Sequence, residues 1–262
     1  MCCCNSGAAA ANQENAKDPL AGTTDIPGAA WEGVGAAAQS VNSLRVPSLF
    51  AVGDDVFAVA EAHCTKQDGE ADCLTGVALK HLKETAEGAA MEMAAADTSL
   101  LYTQLVEGGA AAVKKAMDIM RPTTVVRGKD VYMLLGNYSR ASSASQVSGK
   151  TGWNLFLVKE TVSGDDETKK IEWSETHAVQ PESVGSLASL TQLVGGGGSG
   201  HVLKDCTLVF PMQGINKEKR ALCCPCASGS QTINGRFRRR RPVRAAETRP
   251  SWSGGAKRNS SR

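Results

Sequence analysis

This chain has few aromatic residues, few histidines and no long apolar run. Phe, Tyr and Trp together make 5% of its 262 residues, and no apolar stretch is long enough to cross a bilayer. Its four histidines, His63, His81, His177 and His201, lack the spacing of a metal site or a catalytic base. Gly 27 and Pro 9 are too few for a collagen, and 42% apolar residues is too many for a wholly disordered chain. Nine cysteines in this length do not make a disulfide-dense mini-protein. Gly195–Gly198 is not followed by Lys-Ser/Thr, which excludes a phosphate-binding loop. A chain of this length holds one large domain or two small ones.

What is present is unevenly spread. The formal net charge is only +2, yet residues 221–262 carry nine Arg and one Lys against a single acid, Glu247, a net of +9. The other 220 residues hold 19 basic and 26 acidic groups, a net of −7. A discontinuity of that size marks a boundary near residue 220.

Both ends lack hydrophobic periodicity. Small residues from Cys2 to Ala11 are of the kind that follows the apolar core of a secretory signal, but no such core precedes them. They read either as the remnant of a signal or as a disordered Ala-rich leader, and residues 13–39 read as a linker or disordered segment. The tail holds Cys223, Cys224 and Cys226, then the run Arg236–Arg241. Its functional readings are a nucleic-acid or nuclear-targeting patch for the Arg run and half of a zinc or redox site for the cysteines, and the second lacks any βαβ context.

The middle of the chain reads as strands. Val46–Val52 and Asp55–Ala60, joined by Gly53-Asp54, form a hairpin pattern. Pro122–Val126, a turn at Arg127–Asp130, and Val131–Leu135 repeat it. Trp153–Val158, Ile171–Trp173, Gly200–Asp205 and Thr207–Pro211 supply further strands. The exception is Glu84–Met120, read as an insertion. Within it Ala111–Met120 has helical propensity, and Thr98–Val106 suits either state. Repeated short hairpins predict an all-β propeller or sandwich.

Several of these stretches together resemble the trypanosomal trans-sialidase superfamily of surface glycoproteins. They are Ser43–Ala62, Arg121–Val126, Trp153–Lys159 with Val162–Asp166, and Leu190–Pro211. The resemblance implies a partial six-bladed sialidase β-propeller, about half of one, over residues 41–215. A disordered leader would occupy residues 1–40 and a disordered basic tail residues 216–262. The family continues beyond this point with a string whose codons, read one frame over, give a sequence like Glu247–Gly255. A frameshift near Gly214–Ala221 is therefore expected, and with it an accidental Arg run and cysteine cluster.

The resemblance also implies site residues. Arg45, in Arg-Val-Pro, matches the first of three arginines that grip the sialic acid carboxylate. Asp68, with Asp72 close by, is the acid/base candidate, and Trp153 is either core or a sugar-stacking platform. The Tyr nucleophile, its Glu partner and the other two arginines belong to later blades, past residue 221. A neutral Tyr suits this substrate because its own carboxylate would repel an anionic nucleophile. Two positions depart from the family: Arg121 stands where active enzymes have Asp, and His63 where they have Arg. The Ser-x-Asp-x-Gly-x-x-Trp box does not occur.

Asn137-Tyr-Ser139 is a glycosylation sequon, meaningful in the secretory pathway, and Cys64 and Cys73 are close enough in sequence to bridge there. No cofactor and no metal are implied. The partners implied are sialylated glycans or host-cell surface and matrix proteins, with the chain at the cell surface or secreted. The expected function is a catalytically inactive adhesin-like fragment. Exo-α-sialidase activity and an Arg-tail nucleic-acid binder are the two other readings.

Overall fold

Val131–Leu135 is apolar at every position, and a strand of that kind must bury both of its faces. The computed structural model describes residues 18–26, 28–33, 41–64, 75–82, 91–95, 97, 99–107, 115–137, 154–162, 171–179, 190–204, 206–216 and 221–228. In it this segment lies in a sheet sandwiched between two others. Val131, Met133 and Leu135 point to one neighbour, and Tyr132 and Leu134 to the other. The alternation follows from the two-residue period of a strand.

Three sheets are arranged side by side. The first runs β2 (Ala29–Gly33), β6 (Leu101–Glu107), β5 (Gly76–Leu82), β4 (Asp55–Cys64), β3 (Val41–Val52), with β7 (Lys115–Ala116) beside β6. The second runs β1 (Thr24–Asp25), β11 (Glu175–Val179), β10 (Asn154–Thr161), β9 (Asp130–Asn137), β8 (Met120–Arg127). In the third, β12 (Leu190–Gly195) and β14 (His201–Val202) share one edge of β15 (Leu208–Asn216), and β16 (Ala221–Ser228) takes the other. Between β12 and β14, β13 (Gly198–Ser199) pairs in parallel with β8. Leaving aside the outer-edge additions β1 and β2, the first two sheets are meanders that start from their innermost strands, β3 and β8, and β3, β8 and β13 are mutual neighbours. This is the partial β-propeller: two blades and part of a third.

Apolar layers between the blades hold them together. Phe50, Phe57, Val59, Val77, Leu79 and Leu105 of the first face Val131, Met133, Leu135, Phe156, Val158, Ile171 and Trp173 of the second. Val125, Tyr132, Leu134, Leu155 and Leu157 of the second face Leu208, Phe210 and Met212 of the third. The outer face of the first blade, at Ala62, Ala78 and Tyr102, is covered by Met93 and Leu100. Asp97 fixes that covering segment: it takes Lys80 Nζ as an ion-pair partner and accepts from the Ser99 amide and hydroxyl. Lys80 foremost, then Ser99, hold the Asp97 carboxyl well below the usual carboxylate range.

Four expectations change. The Glu84–Met120 insertion contains β6, the fourth strand of the first blade, and β7 falls where helical propensity pointed. No helix occurs among the described residues, because pairing with β5 and β6 outweighs the weak preference of Ala for helix. Ile171–Trp173 is not a strand; it is a buried approach to β11, with Ile171 and Trp173 in the core. β1 and β2 lie within residues 1–40, added to the outer edges of the second and first blades, where Trp31 packs against Trp173. β16 runs past the expected boundary at 215, since ladder pairing needs no hydrophobic periodicity.

Candidate functional site

Proline cannot donate to a ladder, so a proline inside a strand forces a bulge or an edge. Both inner strands of the complete blades contain one. In β3, Arg45 pairs with Glu61 and Ser48 with Val59, leaving Val46-Pro47 opposite a single residue. In β8, Met120 pairs with Gly136 and Thr123 with Leu134, leaving Arg121-Pro122 opposite one residue. The residue before each proline is left-handed, Val46 at φ 50 and Arg121 at φ 57. Both conformations are strained, the more so before proline. The third blade breaks at glycine instead, with Gly197 at φ 72 and Gly198 at φ 93 between β12 and β14.

The three breaks lie against one another. Gly197 N donates to Thr123 Oγ1 at 3.0 Å, and Gly200 N to Thr124 O at 2.8 Å. Ser48 Oγ is 2.8 Å from Ser199 Oγ and 3.3 Å from Thr124 Oγ1, so one hydroxyl cluster joins all three inner strands. A Cβ at Gly197 would overlap the Val46 side chain, and one at Gly200 would overlap Val125. The glycine run is thus a packing surface for the bulges, consistent with its exclusion as a phosphate loop.

Beside these breaks sits a buried carboxylate. Glu61, 4% exposed, interrupts the apolar run of β4. Its Oε2 accepts from Arg121 N at 2.7 Å, and its Oε1 pairs closely with His63 Nε2. Arg121 Nη1 donates to Gly195 O at 3.3 Å, and Thr123 Oγ1 donates to Arg121 O at the same distance. Charge-assisted bonds of this kind are what allow a carboxylate to remain buried. Arg45 lies directly across the hairpin from Glu61, on the same face, as opposed residues of an antiparallel pair do. It is exposed and has no hydrogen bond or ion pair among the described residues. An exposed guanidinium with no such partner attracts anions.

Of the residues singled out from sequence, the structure brings Arg45, His63 and Arg121 to one place. The two departures from the family pattern, His63 and Arg121, meet at the same carboxylate. Asp68, Asp72, Trp153, Cys73 and Arg236–Arg241 lie outside the described residues. Asn137 ends β9 opposite Asn154 and is half-buried, remote in sequence from the breaks; its sequon partners Tyr138 and Ser139 lie outside the described residues. Glu61 matches no motif of the sequence. Its signal was a lone acid in an apolar strand, together with the two in-strand prolines that require bulges.

Two of the three tyrosines are described, and neither is free to react. Burial pushes the hydroxyls of Tyr102 and Tyr132 up from their usual pKa. Gln104 Nε2 donates to Tyr102 Oη at 2.9 Å, and Arg127 Nη2 donates to Tyr132 Oη at 3.2 Å from a guanidinium lying over the ring.

Comparison with known proteins matches residues 46–237 to the BNR repeat-like domain. Sialidase 85-1.1 of Trypanosoma cruzi is 28% identical over 192 residues, which is 68% of this chain and 24% of that protein. A second Trypanosoma cruzi sialidase is 27% identical over 115 residues, 41% of this chain and 10% of its own length. Trypanosoma rangeli sialidase superposes with a TM-score of 0.50 at 19% identity, covering 86% of this chain and 34% of that one. The chain therefore spans at most about a quarter of the curated relatives it matches.

Proposed function

Because this chain belongs to the BNR repeat-like domain family and to the trans-sialidase superfamily, we propose that it recognises sialylated glycans without hydrolysing them. The observation that carries this reading is Arg45: an exposed, unpartnered guanidinium on the innermost strand, beside the point where three blades break. A planar guanidinium offers a carboxylate two parallel donors, which suits the anionic group of sialic acid. The surrounding hydroxyls of Ser48, Thr124 and Ser199 are already committed to one another. They brace the wall of the site.

Turnover asks for more. A sialidase needs an activated Tyr and an acid poised over the glycosidic oxygen. Tyr102 and Tyr132 are buried and held protonated, the opposite of activation. Arg121 replaces the carboxylate that the family resemblance places there, and its backbone and side chain are both engaged in holding the site's frame. Recognition without chemistry fits an adhesive role at a cell surface.

The second reading is exo-α-sialidase activity, which the names of the relatives favour. Incubating the purified 262-residue chain with a fluorogenic sialoside separates the two. Retention of a sialoside without release of the fluorophore is expected. Release that disappears in Arg45→Ala establishes the hydrolase instead.

A further inference from the structure

Glu61 is a buried carboxylate that the contact proposed for Arg45 does not itself use. An apolar residue of similar size would complete the β4 layer with no desolvation penalty. The strain nearby has the same character. Val46 and Arg121 are non-glycine residues in left-handed backbone, and regular strands would pair more fully without them. Strain that the sheet does not need persists where the surroundings over-determine it, and such places cluster at binding sites.

The contacts form a closed circuit around Arg45. Glu61 Oε2 takes the Arg121 amide and so holds the bulge of β8. Arg121 Nη1 reaches Gly195 O and ties down the end of β12. Beyond Gly195, the Gly197 amide bonds Thr123, and its bare Cα face rests on Val46. Val46 makes the bulge that immediately follows Arg45. The circuit closes where Arg45 pairs with Glu61 across the hairpin. Bulges re-aim the side chains beside them, so the Val46 bulge sets the direction in which Arg45 leaves its strand.

We propose that Glu61 is a positioning residue: through Arg121 and the glycine loop it fixes the Val46 bulge, and thereby presents Arg45 to the carboxylate of a sialylated ligand. This rests on the sialoglycan reading for the identity of the ligand but not for the circuit. His63 belongs to the same device, since its Nε2 occupies the other oxygen of Glu61 and leaves Oε2 directed at Arg121.

The experiment uses the full chain, labelled with ¹⁵N, and sialyllactose as the probe. Without ligand, Glu61→Gln is expected to displace the backbone amide signals of Val46 and Gly197, two residues it does not touch, while the thermal midpoint stays within about 3 °C. With ligand, Glu61→Gln is expected to weaken binding about tenfold, and Glu61→Asp, which restores the carboxylate, to recover part of that loss. If Glu61→Gln does not fold, Arg121→Gly carries the test. It keeps the left-handed backbone and its amide but removes the arm to Gly195, and the same displacement and weakening are expected. Unmoved Val46 and Gly197 signals in a folded variant overturn the circuit. Parent-like affinity in a variant whose signals do move overturns the positioning role. If Arg45→Ala also binds as the parent does, the ligand reading fails, and the ligand-free signals still decide the circuit.

Discussion

Val46 and Gly197 interlock: the strained bulge of one inner strand fills the space that a side chain on the next would need. Gly197 is also left-handed at φ 72, so Gly197→Ala meets two penalties, backbone strain and overlap with Val46. Gly198, at φ 93 with open space around it, meets only the first. Gly197→Ala is expected to cost about 3 kcal/mol and Gly198→Ala about 1 kcal/mol. Urea titrations followed by circular dichroism measure both. Equal losses would mean that the contact with Val46 contributes nothing.

The two tryptophans between the first and second blades make a second contrast. Trp31 Nε1 donates to Thr176 Oγ1 at 2.9 Å, whereas Trp173 Nε1 is buried with no partner among the described residues. Replacing each by Phe removes one N–H and a ring. Trp31→Phe loses a bond and leaves Thr176 short of a donor, about 1 kcal/mol beyond the change in packing. Trp173→Phe removes an unpaired donor, so the lost area is offset and the midpoint shifts less. Thermal melts of the pair should rank Trp31→Phe as the less stable.

Acid should loosen the segment that covers the first blade. The folded-state pKa of Asp97 is depressed, through Lys80 and then Ser99, below the unfolded value of about 3.9. The stabilisation it brings is therefore complete above that value and lost only as pH falls through the lower, folded one. Protection of the Ser99 amide, which donates to Asp97 at 2.8 Å, should stay flat from pH 7 to about 4 and decline below. In Asp97→Asn it should be low throughout. Hydrogen exchange read by NMR supplies both profiles, and a decline beginning near pH 6 would assign the anchor to another group.

The blades were legible in the sequence because their signal is local. Alternation in Val46–Ala60, turns at Gly53-Asp54 and Gly128-Lys129, and the continuous apolar run of β9 each follow from two-residue periodicity and turn chemistry. The sixteen strands of the described residues also include pieces that no local signal marks. β6 and β7 pair within an Ala-rich stretch, and β1 and β2 close outer edges far along the chain, at separations no window of residues spans. Ile171–Trp173 misled because burial in a loop and burial in a strand select the same side chains. Arg45 was legible only through resemblance to a family. The meeting of Glu61, His63 and Arg121 was not, since it depends on which bulges face each other across blades.

Sialoglycan recognition by this chain rests on Arg45. The most direct measurement is a titration of the 262-residue chain with sialyllactose, in parent and Arg45→Ala forms, with a fluorogenic sialoside run alongside. Saturable binding by the parent is expected, at least about tenfold weaker in the variant, with no fluorophore release from either. Equal affinity in the two forms, or release by the parent that Arg45→Ala abolishes, would contradict that reading.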